Sequence, residues 1–96
     1  MDDLFSDNID DVRNQLEKNP VSINEWGIVG RTAVHHHSCE GRLEIVKLLV
    51  YYGADIYTYD VYEKDNALTG AIYYNQDHVV DYFITKLGAT IPKRQR

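Results

Sequence analysis

The sequence predicts an all-α solenoid: stacked antiparallel helix pairs with projecting β-turn loops between them. Two observations lead there, an internal similarity at a spacing of about 34 residues and short apolar stripes at helical spacing, each closed by glycine. Length sets the scale. A chain of 96 residues is one domain, too small to hold separate cofactor and substrate domains. Segments repeated at a fixed spacing bury their apolar faces on one another, so the expected core runs along a row.

The units follow in order. The first, roughly 1–26, is partial, because Met1 to Ser6 leave room only for a first helix that is short or absent. Its second helix carries Ile9, Val12 and Leu16 on one narrow face and Asp10, Asp11, Arg13, Gln15 and Glu17 elsewhere, the pattern of a terminal cap. In the second unit, 27–60, Thr32 offers an oxygen to the free amides of a first helical turn. A helix over 33–40 follows, and Gly41, which tolerates positive φ, breaks it. Ile45, Leu48, Leu49 and Tyr52 define a helix over about 43–52, ended by Gly53. For the third unit, 61–90, a shift of about 34 places Ala33-Val34 on Ala67-Leu68, Gly41 on Asn75 and Leu49 on Phe83. One extra residue near Leu87 then brings Gly53-Ala54 onto Gly88-Ala89. The last helix carries Val80, Phe83, Ile84 and Leu87, with Val79 and Tyr82 widening the stripe. Val79, Tyr82 and Phe83 therefore read as an apolar face open to a second copy, which makes homo-oligomerisation the alternative to binding a different protein. A basic tail, 91–96, closes the chain.

Thr32-Ala33-Val34-His35, the run Gly41-Arg42-Leu43-Glu44-Ile45-Val46-Lys47-Leu48-Leu49, and Gly53-Ala54-Asp55-Ile56 together resemble the ankyrin repeat. The likeness spans roughly residues 8–90. It implies an L-shaped section, a histidine at position 35 that ties adjacent turns by hydrogen bonds, and a non-enzymatic scaffold that binds other proteins. By the same resemblance, loop tips and the exposed ends of inner helices form a concave recognition face. The matching positions are Ile28, Val29, Arg31, Cys39 and Glu40 in the central unit and Tyr62, Glu63, Asp65, Tyr73 and Tyr74 in the third, with Trp26 just before the first tip. Several residues depart from the family pattern. Ala33 replaces the usual Pro, Thr69 stands at the histidine place, and Tyr57 replaces the usual Asn. His37 occupies a place that is normally Ala, where two helices come closest, which predicts either loosening or small neighbours in compensation. The loop 57–66 is one residue longer than 24–32, which predicts a reshaped tip. Asn24 matches the place at which some ankyrin proteins are hydroxylated.

Charge and composition narrow the function. The net charge is -5, and the body of the chain is acidic, so it lacks the basic face that nucleic acid requires. The acidic start and the absence of a long apolar run predict neither a signal peptide nor a membrane span, and the single Cys39 cannot form an internal disulfide. A cytoplasmic location is expected, with the basic end compatible with nuclear entry. Successive helical residues point about 100° apart, so His35, His36 and His37 cannot converge on one metal ion. No carboxylate pair has a histidine or nucleophile beside it, and no phosphate-cradling loop appears, so neither cofactor nor catalysis is expected. Tyrosine is the distinctive resource. Eight are present, most of them between 51 and 74, and tyrosine brings large contact area at small conformational cost. Beside carboxylates, these rings suit a protein partner with apolar groups and some Lys or Arg.

Overall fold

Local chemistry sets each helix boundary in the computed structural model, which describes residues 3–19 and 22–90. A 3-10 turn at Asp3–Phe5 is followed by α1, Ile9–Lys18, whose cap Asn8 accepts from the Asp10 amide at 2.8 Å. A further 3-10 turn, Ile28–Gly30, precedes α2, Ala33–Glu40, where Thr32 Oγ1 accepts from the His35 amide at 3.3 Å. Leu43–Tyr51 forms α3, with Tyr52 as its cap rather than its last residue. The helix α4, Ala67–Tyr73, explains the threonine at the histidine place. Asn66 N donates to Thr69 Oγ1 and Thr69 N donates to Asn66 Oδ1, both at 2.9 Å, so the pair closes a capping box. The last helix, α5, is Asp77–Leu87.

The repeat spacing is present in the backbone. Gly41 at φ 76 and Asn75 at φ 59 hold the same left-handed place between paired helices, one by glycine and one by the side chain best suited to replace it. After the second helices, the Ala54 amide donates to the Leu49 carbonyl at 2.9 Å and the Ala89 amide to the Phe83 carbonyl at 3.0 Å. The second of these bonds spans one residue more, which accounts for the insertion near Leu87.

Two rows result. The turn at Asp3–Phe5, α2 and α4 form an inner row, and α1, α3 and α5 an outer one. Val12, Leu16, Val46, Leu49, Val79 and Phe83 are fully buried along the outer row. Each such side chain stabilises the fold by about 1.5–3 kcal/mol. In the inner row the seam between α2 and α4 is tight. A Cβ on Gly70 would lie 2.6 Å from Cys39 Sγ and 3.1 Å from His35 Nε2, so glycine is what allows α4 to approach.

The expected C-terminal face requires correction. Val79 and Phe83 are 0% exposed and belong to the core, so they cannot present a surface to a second copy. Tyr82 is half-buried, with Lys47 Nζ 5.7 Å from its ring centroid. Both the 79/83 line and the 80/84/87 line fit helical spacing. Packing on the preceding unit selects the first and leaves Leu87 exposed. The basic tail 91–96 lies outside the described residues.

Gly70→Ala should gain about 1 kcal/mol in helix propensity and lose about 1–3 kcal/mol to overpacking. Urea unfolding is expected to show a net loss, largely recovered in the Cys39→Ala/Gly70→Ala double variant. An unchanged or raised midpoint in the single variant would contradict the tight seam.

Candidate partner-binding face

Asp60 organises the tip of the third unit. Its Oδ1 accepts from the Tyr62 and Lys64 amides at 3.0 Å each, its amide donates to the Asp65 carbonyl at 2.8 Å, and its carbonyl accepts from Glu63 N at 2.9 Å. Burial would raise the carboxyl pKa, but the amide hydrogen bonds and the neighbouring His35 outweigh it and hold the group below its ordinary value. The preceding tip takes positive φ at Val29 and Gly30 and this one at Glu63, but its closing bond, from the Asp60 amide to the Asp65 carbonyl, spans one residue more than the bond from the Gly27 amide to the Arg31 carbonyl. This is the reshaping that the longer loop predicts.

The tips are tied to each other. The Val61 amide donates to the Gly30 carbonyl at 2.8 Å, and Trp26 Nε1 donates to the Tyr59 carbonyl at 2.9 Å. Tyr62 lies against Gly30, where an added Cβ would meet its Cε2 at 3.4 Å. Next along, the Arg31 guanidinium lies 5.9 Å from the Tyr74 ring centroid, and Tyr73 and Tyr74 meet edge-on at 5.0 Å and 86°. Tyr62, Arg31, Tyr74 and Tyr73 thus form a band, and its rings at 62, 74 and 73 are 68%, 48% and 74% exposed.

Not every expected residue joins it. Cys39 is 5% exposed and faces Gly70, so it is a seam residue and offers nothing to a partner. Burial pushes its thiol up to about 11, which leaves it protonated and unreactive at neutral pH. Glu40 is exposed at the end of α2 and pairs with Arg42 at 3.8 Å, outside the band. Asp65 is half-buried at the foot of the tip, while Val29, Glu63 and Trp26 are exposed. The Ile28 side chain lies outside the described residues. Tyr59, absent from the expected set, is exposed beside Trp26. Its place before the tip carries no repeat-based signal.

The opposite end of the hairpins is also tied. Gln76 Nε2 donates to the Cys39 carbonyl at 2.8 Å and His78 Nε2 to the Gly41 carbonyl at 2.7 Å, satisfying carbonyls that the end of α2 leaves open. His37 neither loosens the core nor relies on small neighbours. Fully buried, it donates from Nε2 to the Leu4 carbonyl at 2.8 Å and accepts at Nδ1 from Arg42 Nη1 at 3.3 Å. Both bonds suit the neutral ring, and the single 3-10 turn of the first unit supplies the room. His35 departs from the expected tying role. Among the described residues neither of its ring nitrogens has a hydrogen-bond partner, and Thr32 serves the His35 backbone amide instead. Burial lowers the pKa of both rings to about 4, with Arg31 adding to the effect at His35 and His36 and Arg42 at His37.

Stacked hairpins with joined tips and joined turns define a helical repeat protein. The chain belongs to the ankyrin-repeat family: a family model of three ankyrin repeats matches residues 4–95. Ankyrin repeats are protein–protein interaction modules, generally without catalytic activity. The chain is similar to the Notch-regulated ankyrin repeat-containing proteins of Xenopus tropicalis, at 42% identity over 67 residues, and Homo sapiens, at 40% over 67. In each case the match covers 68% of this chain and 56% of the relative, so the chain spans little more than half the length of these relatives. In fold it is similar to a chain in the crystal structure of the yeast ribosomal protein Rps3 in complex with its chaperone Yar1. That match has a TM-score of 0.80 and 27% identity, and covers 94% of this chain and 66% of the other. A chain in the complex of a predatory endopeptidase from Bdellovibrio bacteriovorus with an immunity protein matches at TM-score 0.77 and 24% identity, covering 91% and 44%, a likeness of fold. Among the described residues no helix is long and apolar enough to cross a membrane.

Two measurements follow from these burial patterns. Unfolded histidine titrates near 6.5, while His35 and His37 take a proton in the fold only near pH 4. The unfolded state therefore binds more protons between these values, and stability falls as pH is lowered from about 6.5 to about 4. The loss is on the order of 3 kcal/mol for each ring, a large share of the roughly 5–15 kcal/mol typical of a domain. Urea midpoints measured across this range should fall steeply, and less so in His37→Gln. Cys39 should resist a thiol reagent at neutral pH until the chain unfolds, and rapid labelling of the folded protein would contradict its buried place.

Proposed function

We propose that this chain binds a partner protein through the Tyr62–Arg31–Tyr74–Tyr73 band and the adjoining tips, without catalysing a reaction on it. The observation that carries this reading is the exposure of three tyrosines on a backbone already fixed. Asp60 pins the tip, the Val61–Gly30 bond ties it to its neighbour, and Arg31 sits over Tyr74. Contact with such a face costs little ordering entropy, so most of the interaction energy is available for affinity. Carboxylates around the tips favour a partner that presents Lys or Arg beside apolar groups. We place this activity in the cytoplasm, with the basic end 91–96 as a route to the nucleus.

Capture of partner proteins from a native lysate, identified by mass spectrometry, tests the face. The Tyr62→Ser/Tyr73→Ser/Tyr74→Ser variant should keep its helical circular dichroism and bind the captured protein at least a hundredfold more weakly, a loss of roughly 3 kcal/mol. Equal affinity in the folded variant would move the binding face elsewhere.

A further inference from the structure

A groove of about 400 Å³ opens beside the second tip, lined by Trp26, Thr58, Tyr59, Asp60, Val61 and Glu63. None of the band tyrosines lines it. We infer that this groove receives an arginine side chain from the partner protein. The inference rests on the reading that the tips bind protein, and it names the chemistry they accept.

The walls are aromatic and held in place. The Trp26 indole donates to the Tyr59 carbonyl at 2.9 Å, which fixes the ring across two units while leaving it about half exposed. Val61, another wall residue, is anchored by its amide to Gly30. An indole face presented in this way attracts a cation through its quadrupole. The charge beside it is negative. Glu63 is exposed and set at φ 59 by the Asp60-centred turn, so its position follows from the backbone. Among the described residues the ion pairs are Asp10–Arg13, Glu40–Arg42 and Glu44–Lys47, so Glu63 and Asp60 belong to none of them. Among the described residues no cationic residue lines the groove.

Arginine fits these walls better than lysine. A planar guanidinium stacks on an aromatic face while its edge donates two parallel hydrogen bonds to a carboxylate. A lysine ammonium is a strongly hydrated point charge and uses only one of these features at a time. The groove is also open at the tip, where a chain segment can lay one long side chain into it.

Trp26 is the only tryptophan, so intrinsic fluorescence reads the groove directly. The full chain is titrated with a blocked Gly-rich pentapeptide carrying a central arginine, and with matched peptides carrying lysine or the neutral isostere citrulline. A saturable change in emission is expected with arginine, at least fivefold weaker with lysine and absent with citrulline. Glu63→Gln should weaken the arginine peptide five- to tenfold, and Glu17→Gln, on α1, should not. Equal responses to arginine and citrulline, equal responses to arginine and lysine, an unaffected Glu63→Gln, or no saturation up to about 10 mM would overturn the proposal. A self-associated chain that becomes monomeric, and opens the groove, on removal of 91–96 would make its own tail the occupant and overturn it too. The synthetic peptide is independent of the captured partner. Failure of the triple tyrosine variant to lose that partner would sink the band reading and leave this titration intact.

Discussion

A helical hairpin of this length cannot cover its own apolar face, and the whole structure answers that constraint. The helix α3 packs on α2 within its own hairpin and on α1 and α5 to either side, and Val46 and Leu49 are fully buried there. The same need brings α4 against α2 so closely that Gly70 must lack a side chain. Once the rows are set, the tips have nowhere else to lie. Their bonds to each other, Val61 to Gly30 and Trp26 to Tyr59, turn loops that would otherwise wander into a fixed surface.

Polar groups inside the stack serve the same end. His37 occupies the room left where the first unit has a single 3-10 turn in place of a helix, and its two ring nitrogens meet Leu4 and Arg42. Gln76 and His78 close the open carbonyls at the end of α2 from the neighbouring unit. These are contacts between successive units, so a polar residue that looks local in the sequence acts across the row. The exceptions are the ring nitrogens of His35, Nδ1 of His36 and Oγ of Ser38, buried without a hydrogen bond among the described residues.

The helix pairs are legible in the sequence because their signals are local. Thr32 and Gly41 mark both ends of α2, and the spacing of about 34 residues is enough to put Asn75 in the left-handed place of Gly41. Surfaces are harder. On α5 two neighbouring lines of apolar residues satisfy the same helical spacing, and only the contact with the preceding unit decides that Val79 and Phe83 go inside. Cys39 reads as available because nothing near it in the chain announces Gly70 opposite. Tyr59 escapes a sequence reading for a related reason: its neighbour Trp26 is close through the fold and distant along the chain. The tyrosine band itself can be anticipated residue by residue, but its order, with Arg31 lying between two units, depends on the stacking.

The units are fastened along both rims, by Val61–Gly30 at the tips and by Gln76–Cys39 and His78–Gly41 at the turns. Fastening of this kind opposes the slippage of one layer past the next. A load applied to one tip is therefore shared with the neighbouring layer through both edges, as in a laminate bonded along its two margins.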